Sequence, residues 1–215
     1  IFSEQRKAEI ISSILISVTA ILSIFCYLNI ETYLGNYLIY NWINLNEIKV
    51  NFAILYDPLT AIMFIVVNTV SALVHIFSIG YMHDDNRRAR FFCYLSMFTF
   101  AMLILVSSNN FIQLFLGWEG VGLCSYLLVG YYFRKPSANS AAVKAFLVNR
   151  VGDFGYLIAI ALIYKYFNSF DFYNVFENSA AFSKNTFSLF GADINIITAI
   201  TMFLFMAAVG KSAQI

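Results

Sequence analysis

The stretch Phe111-Ile112-Gln113-Leu114-Phe115-Leu116-Gly117-Trp118-Glu119-Gly120-Val121-Gly122-Leu123-Cys124-Ser125-Tyr126-Leu127-Leu128-Val129-Gly130-Tyr131-Tyr132-Phe133 carries one formal charge, Glu119. A helix rises about 1.5 Å per residue, and about 20 mostly apolar residues cross the hydrocarbon core of a bilayer. The stretch therefore reads as a transmembrane helix with a carboxylate about 12 Å along it, near mid-membrane. The apolar run is continuous. It lacks the roughly 10-residue alternation of a membrane β-barrel, so a helix is the expected spanning form.

Five further runs of this kind flank it: about Ile10–Ile30, Thr60–Tyr81 (with His75), Phe91–Ser108, Ala141–Phe167 (with Lys144, Arg150 and Asp153) and Ile194–Ile215 (with Lys211). The expected fold is all-α, a polytopic transmembrane helix bundle of about six spans. Composition agrees: 60% of the 215 residues are hydrophobic and 12% charged, with a mean hydropathy of +0.74. Soluble domains average about 45–50% apolar and about 25% charged residues, so a soluble enzyme or a disordered tail is a poor reading. Thirteen basic against 12 acidic residues leave no electrostatic footprint for nucleic acid. Cys26, Cys93 and Cys124 lie in apolar runs without metal-ligand spacing, so no metal site or disulfide framework is expected.

The connectors divide the chain at the same places. Asp57-Pro58 reads as an N-cap followed by proline at the first helical position, and Pro136 stands just before the fifth span. Ser107-Ser108-Asn109-Asn110 reads as a tight turn. The longer connectors, 31–56 and 168–193, are polar and aromatic, and short strands or amphipathic interfacial pieces are expected there. Six spans put Arg6, Lys7, Arg87, Arg88, Arg90, Arg134 and Lys135 on one side, against Lys49 and Lys184 on the other, with Lys165 near a helix end. That bias places the amino end on the cytoplasmic or matrix side and the two long connectors outward. The chain starts at Ile1 without Met and stops at Ile215 inside an apolar run, which reads as a piece of a longer polypeptide.

Glu119, Lys144, Arg150, Asp153 and Lys211 fall inside spans. A central Asp, Lys or Arg costs about 2.5–3.5 kcal/mol to insert, so pairing, internal water or proton uptake must offset it. Arg150 and Asp153, three residues apart, share a helix face and can pair; a structural role competes with a functional one there. Lys144, near the start of its span, can snorkel to the interface. Glu119 has no charged neighbour in sequence and is a functional candidate by default. Lys211 follows Gly210: a helix break there would hold the amine at mid-membrane, and an unbroken helix would carry it towards the far interface. Gly117, Gly120 and Gly122 let another helix approach closely. His75 suits either packing or proton relay.

No nucleophile elbow, P-loop, dinucleotide fingerprint or haem-binding histidine pair is present. Buried acids and lysines on neighbouring helices can pass protons, because making or breaking one pair changes the cost of charge at the next. The residues alone thus point to a proton or cation pathway.

Tyr56-Asp57-Pro58-Leu59-Thr60, Tyr81-Met82-His83, Ser108-Asn109-Asn110-Phe111, Gly117-Trp118-Glu119-Gly120-Val121-Gly122-Leu123-Cys124-Ser125-Tyr126-Leu127-Leu128, Lys144-Ala145-Phe146, Asn149-Arg150-Val151-Gly152-Asp153 and Gly210-Lys211-Ser212-Ala213-Gln214 follow one another in this order. Over about residues 50–215 the chain resembles subunit 5 of NADH:ubiquinone oxidoreductase, the distal antiporter-like subunit of respiratory complex I. The resemblance implies that 1–215 is the N-terminal part of an antiporter-like transmembrane domain. It also implies that Glu119 pairs with Lys211, that the lysine helix breaks near Gly210, and that Asp153 tunes the pair with Arg150 as its partner. Lys144 matches a basic position of the family. The family subunit holds no redox cofactor: NAD, FMN, iron–sulfur clusters and ubiquinone belong to other subunits. Expected partners are other membrane-arm subunits, the remainder of the same subunit and the lipid bilayer. Abundant Phe, Ile, Tyr and Asn favours a mitochondrial inner membrane, with a bacterial plasma membrane as the alternative. The large subunit of a sodium/proton antiporter or membrane-bound hydrogenase, and a structural scaffold, are the competing readings.

Overall fold

The computed structural model describes residues 2–45, 48–182, 185–189 and 192–212. Lys184, the Ala213-Gln214 end of the last motif and the Ile215 end of the sixth span lie outside these residues. The described elements run α1 (Phe2–Leu28), α2 (Ile30–Tyr33), β1 (Gly35–Leu45), β2 (Ile48–Tyr56), α3 (Pro58–Tyr81), α4 (Arg88–Val106), α5 (Phe111–Val129), α6 (Pro136–Phe167), α7 (Phe172–Asn178), β3 (Thr186–Leu189), β4 (Ala192–Asn195) and α8 (Ile196–Lys211).

Five of the described helices are long and apolar enough to cross a membrane: α1, α3, α4, α5 and α6. The sixth expected span is a shorter apolar helix, α8, of 16 residues, or about 24 Å. The helix starts follow from capping. The Asp57 side chain accepts from Thr60 N at 2.7 Å ahead of Pro58, and Asn110 Oδ1 accepts from Gln113 N at 2.8 Å to start α5. Pro136 begins α6, and Asn195 caps α8 through Ile197 N and Thr198 N.

The burial pattern is that of a protein in lipid. Large apolar side chains such as Leu15, Ile21, Leu73 and Phe77 face outward, while Ser13, Ser23, Asn68, Ser71 and His75 are buried. With lipid tails as solvent, small and polar residues hold helices together. Asn68 Nδ2 donates to Ser23 Oγ at 2.8 Å, joining α3 to α1. His75 is fully buried; its Nδ1 lies 2.8 Å from the Ser71 carbonyl and its Nε2 3.2 Å from Ser96 Oγ. Both ring nitrogens of His75 thus have a protein partner.

Both long connectors contain antiparallel hairpins, β1–β2 and β3–β4. Parts of both connectors meet the Ser107–Asn110 turn at one end of the bundle: Leu55 N donates to the Ser107 carbonyl and Phe172 N to the Asn109 carbonyl. Gln113, fully buried in α5, receives Ala53 N at 3.0 Å and donates to Ala53 O at 2.7 Å, so its amide continues the β2 edge. Asn110 forms an isolated bridge with Asp171, and Phe111 N donates to Phe170 O at 3.0 Å. At the other end Glu9 and Arg88 form a buried ion pair at 3.3 Å, and Tyr131 Oη donates to the Arg87 carbonyl at 2.9 Å. Glu9, Arg88 and Tyr131 thus lie at the end of the bundle away from the Ser107–Asn110 turn.

Candidate functional site

The site is built where α5, α6 and α8 cross. Glycine sets their spacing. A Cβ on Gly117 would lie 2.6 Å from Leu105 N, and one on Gly120 would lie 2.9 Å from Ala101 Cβ, so these two seat α5 against α4. Gly122 does something else: a Cβ there would lie 2.9 Å from Lys211 Nζ, so its bare backbone makes the notch that receives the lysine. Gly152 of α6 and Gly210 of α8 face each other; a Cβ on Gly210 would lie 3.0 Å from Gly152 Cα. Gly210 lies within the described helix, which runs to Lys211 with Ser212 as its C-cap. The glycine is used for the crossing itself.

Arg150 holds the centre. Its Nη1 forms an ion pair with Glu119 of α5 and donates to Asp153 Oδ2 at 3.2 Å on its own helix. The guanidinium also lies over the Phe146 ring, 4.7 Å from its centroid. Asp153 is buried, and its other oxygen accepts from Trp118 Nε1 at 2.9 Å. Lys211 Nζ donates to the Trp118 carbonyl at 2.8 Å and lies 5.3 Å from the indole centroid. Among the described residues Glu119 and Lys211 make no ion pair within 4.0 Å; the carboxylate is taken by Arg150 and the amine by a backbone carbonyl.

Lys144 stands apart from this cluster. It is exposed and has no carboxylate partner among the described residues. It nevertheless lines the same cavity of about 600 Å³ as Lys211, together with Ser125, Asn149 and Gly210. Four of the five sequence candidates therefore converge, and the fifth shares a cavity with one of them. The residue that sequence reasoning left without a role is Trp118. Its donor-only indole beside an intramembrane carboxylate was the available signal. Among the described residues no three His, Cys, Asp or Glu side chains assemble as a metal-ligand set.

Residues 108–215 match the family described as NADH:quinone oxidoreductase/Mrp antiporter, transmembrane, and residues 42–92 match the N-terminus of NADH-ubiquinone oxidoreductase (complex I) chain 5. The chain belongs to this antiporter-like family of complex I. It is 44% identical to NADH-quinone oxidoreductase subunit L of Rhodobacter capsulatus over 98% of its own length and 31% of that protein. It is 42% identical to NADH-ubiquinone oxidoreductase chain 5 of Dictyostelium discoideum over 92% of its own length and 30% of the relative. This antiporter-family chain thus spans about a third of these relatives. Among solved structures, the Mrp complex from Dietzia sp. DQ12-45-1b aligns with a TM-score of 0.74 at 20% identity, over 93% of this chain and 20% of that one. The membrane-bound sulfane sulfur reductase, an archaeal respiratory membrane complex, aligns at 0.69 and 17% identity, over 94% and 29%. These two likenesses concern the fold.

Proposed function

We propose that the chain is the N-terminal part of a proton-translocating membrane-arm subunit of NADH:ubiquinone oxidoreductase, and that Glu119, Arg150, Asp153 and Lys211 are its proton relay. The observation that carries this reading is the shared guanidinium. Arg150 serves two carboxylates at once, while Lys211 is kept on a carbonyl at the rim of a cavity.

Two acids and two bases sum to zero net charge. A proton arriving at or leaving any one of them creates a net charge in an apolar setting, where it is costly. The cluster offsets that cost by a second proton movement or by repartnering of Arg150. Protonation of Glu119 releases Arg150 to Asp153 alone; loss of a proton from Lys211 removes the counterweight to the pair. Trp118 connects the two halves, because its indole holds Asp153 and its carbonyl holds Lys211. Lys144 lies on the cavity side and tunes the approach to Lys211. Conformational energy from quinone reduction in other subunits drives the cycle, and NAD, FMN, iron–sulfur and ubiquinone chemistry is assigned to those subunits. The host membrane is the mitochondrial inner membrane by residue composition, and the partners are the other membrane-arm subunits.

Glu119→Gln and Lys211→Ala test the proposal. Each is expected to lower proton pumping coupled to NADH oxidation while the complex still assembles on blue-native electrophoresis. Normal coupled pumping in both variants would sink it. Failure to assemble in both would favour a structural scaffold. Purification without redox subunits, together with sodium-dependent transport, would favour an antiporter.

A further inference from the structure

Arg90, in the first turn of α4, is one of several basic side chains at this end of the bundle that make no ion pair among the described residues. Its neighbour Arg88 is neutralised by Glu9. Arg90 has no carboxylate within 4.0 Å among the described residues. Three aromatic rings surround its guanidinium, with centroids at 6.0 Å (Tyr94), 5.3 Å (Tyr131) and 5.2 Å (Phe133). Its hydrogen bond to protein is a long one, 3.5 Å from Nη2 to the Tyr131 carbonyl, and its Nε is buried without a partner. A guanidinium stays charged and offers five N–H donors in a fixed fork, and aromatic faces steady it without using those donors.

The guanidinium lines a cavity of about 160 Å³ with Tyr94, Tyr126, Gly130, Tyr131 and Asn139. The Tyr94, Tyr126 and Asn139 side chains carry neutral donors, while the Tyr131 hydroxyl is already engaged by Asp85 Oδ1 at 3.1 Å and the Arg87 carbonyl at 2.9 Å. Asn139 belongs to the first turn of α6, a 32-residue helix whose N-terminus favours negative charge. Arg134 and Lys135 lie in the same loop region, which makes this end of the bundle the positive one. Phe133, an exposed apolar side chain, also lines the cavity, and Val129, likewise exposed, precedes the lining residue Gly130 in the chain.

We propose that this cavity binds the phosphodiester group of an anionic membrane lipid. Arg90 takes its oxygens in a forked, charge-assisted contact, and the acyl chains run down the exposed apolar surface of α5. A free phosphate would satisfy the same donors and would leave the apolar margin unused.

The test uses the assembled complex in detergent, depleted of lipid, with a phosphatidylglycerol carrying a photoreactive headgroup. Attachment is mapped by peptide mass spectrometry. Labelling is expected on peptides covering 87–97 and 126–139. Unlabelled phosphatidylglycerol should compete; phosphatidylcholine and inorganic phosphate should not. One Lys or Arg near a membrane surface contributes on the order of fivefold in affinity to anionic lipid, so Arg90→Gln is expected to weaken labelling by about fivefold. Arg134→Gln, outside the cavity lining, should lose less labelling than Arg90→Gln. Arg90→Lys keeps the charge without the fork and is expected to assemble with reduced labelling, so it carries the test if Arg90→Gln does not assemble. Wild-type labelling of both Arg90 variants, or equal competition by phosphatidylcholine, would overturn the proposal. Equal competition by inorganic phosphate would overturn the lipid assignment in favour of a free-anion site.

Discussion

Arg150 reaches Glu119 on the neighbouring helix and Asp153 on its own helix through one nitrogen, Nη1. A single cation therefore keeps two carboxylates in one site. Like charges held close in an apolar setting cannot both stay ionised without such a partner.

Removing the cation exposes the conflict. In Arg150→Gln the two carboxylates are left facing each other, and both assembly and coupled pumping are expected to fall. Adding Asp153→Asn removes one of the opposing charges, so the double variant should assemble better than Arg150→Gln alone. The non-additivity in a double-mutant cycle should be on the order of 0.5–3 kcal/mol, as for residues in direct contact. Thermal midpoints of the purified complexes measure it; additive losses would mean that the two side chains act independently.

Trp118 can be divided into its two contacts. Trp118→Phe keeps the backbone carbonyl that accepts from Lys211 and a ring near Tyr156, 5.7 Å away in the native chain. It loses the N–H that donates to Asp153 at 2.9 Å. A hydrogen bond to a charged group contributes roughly 1.5–3 kcal/mol, so the thermal midpoint should drop measurably. In an Asp153→Asn background the same change should cost less, since the acceptor is then neutral.

The glycine contacts separate packing from propensity. Gly152→Ala would set a methyl 3.0 Å from Ala207 O and 3.4 Å from Gly210 Cα, and Gly210→Ala would set one 3.2 Å from Gly152 N. Backbone atoms cannot rotate away, so α6 and α8 must part. Overpacking of this kind costs about 1–3 kcal/mol, and the parted helices should also carry Lys211 away from the Trp118 carbonyl. Gly80→Ala is the control, because nothing lies within 4 Å of a Cβ there. That change should leave stability unaltered or raise it by about 0.5–1 kcal/mol, the ordinary gain of alanine in a helix. Equal destabilisation at all three positions would contradict the crossing geometry.

The spans were legible because a bilayer demands long uncharged runs, and Asp57, Pro58 and Pro136 mark helix starts by local chemistry alone. Arg150 and Asp153 were legible as neighbours from their spacing of three. The pairing across helices was not. Whether Glu119 meets Arg150 or Lys211 depends on how far α8 slides along α6, and that is fixed by the Gly152–Gly210 contact, in which no chemical group advertises its partner. Trp118 escaped notice because an aromatic residue in an apolar run reads as packing until a buried carboxylate is placed beside its N–H. In the connectors, strands and amphipathic interfacial pieces stayed equal alternatives, since one β2 edge is satisfied by a group distant in sequence, Gln113.

Glu9 and Arg88 give the last prediction, and its sign depends on removing one partner or both. The pair ties α1 to α4 at 3.3 Å with side-chain exposures of 2% and 8%. Arg88→Met alone leaves Glu9 buried without its cation, and Glu9→Leu alone leaves a buried guanidinium whose Nε already lacks a partner. Losing one member of a buried pair typically costs about 3–5 kcal/mol, whereas replacing both by apolar groups of similar volume is often neutral or stabilising. Each single variant is therefore expected to assemble poorly, and the double variant Glu9→Leu/Arg88→Met to recover most of the wild-type yield and thermal midpoint. Coupled pumping in the double variant should also recover, because the pair lies at the basic end of α1 and α4 and makes no contact with the Arg150 cluster. Recovered assembly without recovered pumping would instead assign the pair a part in proton transfer.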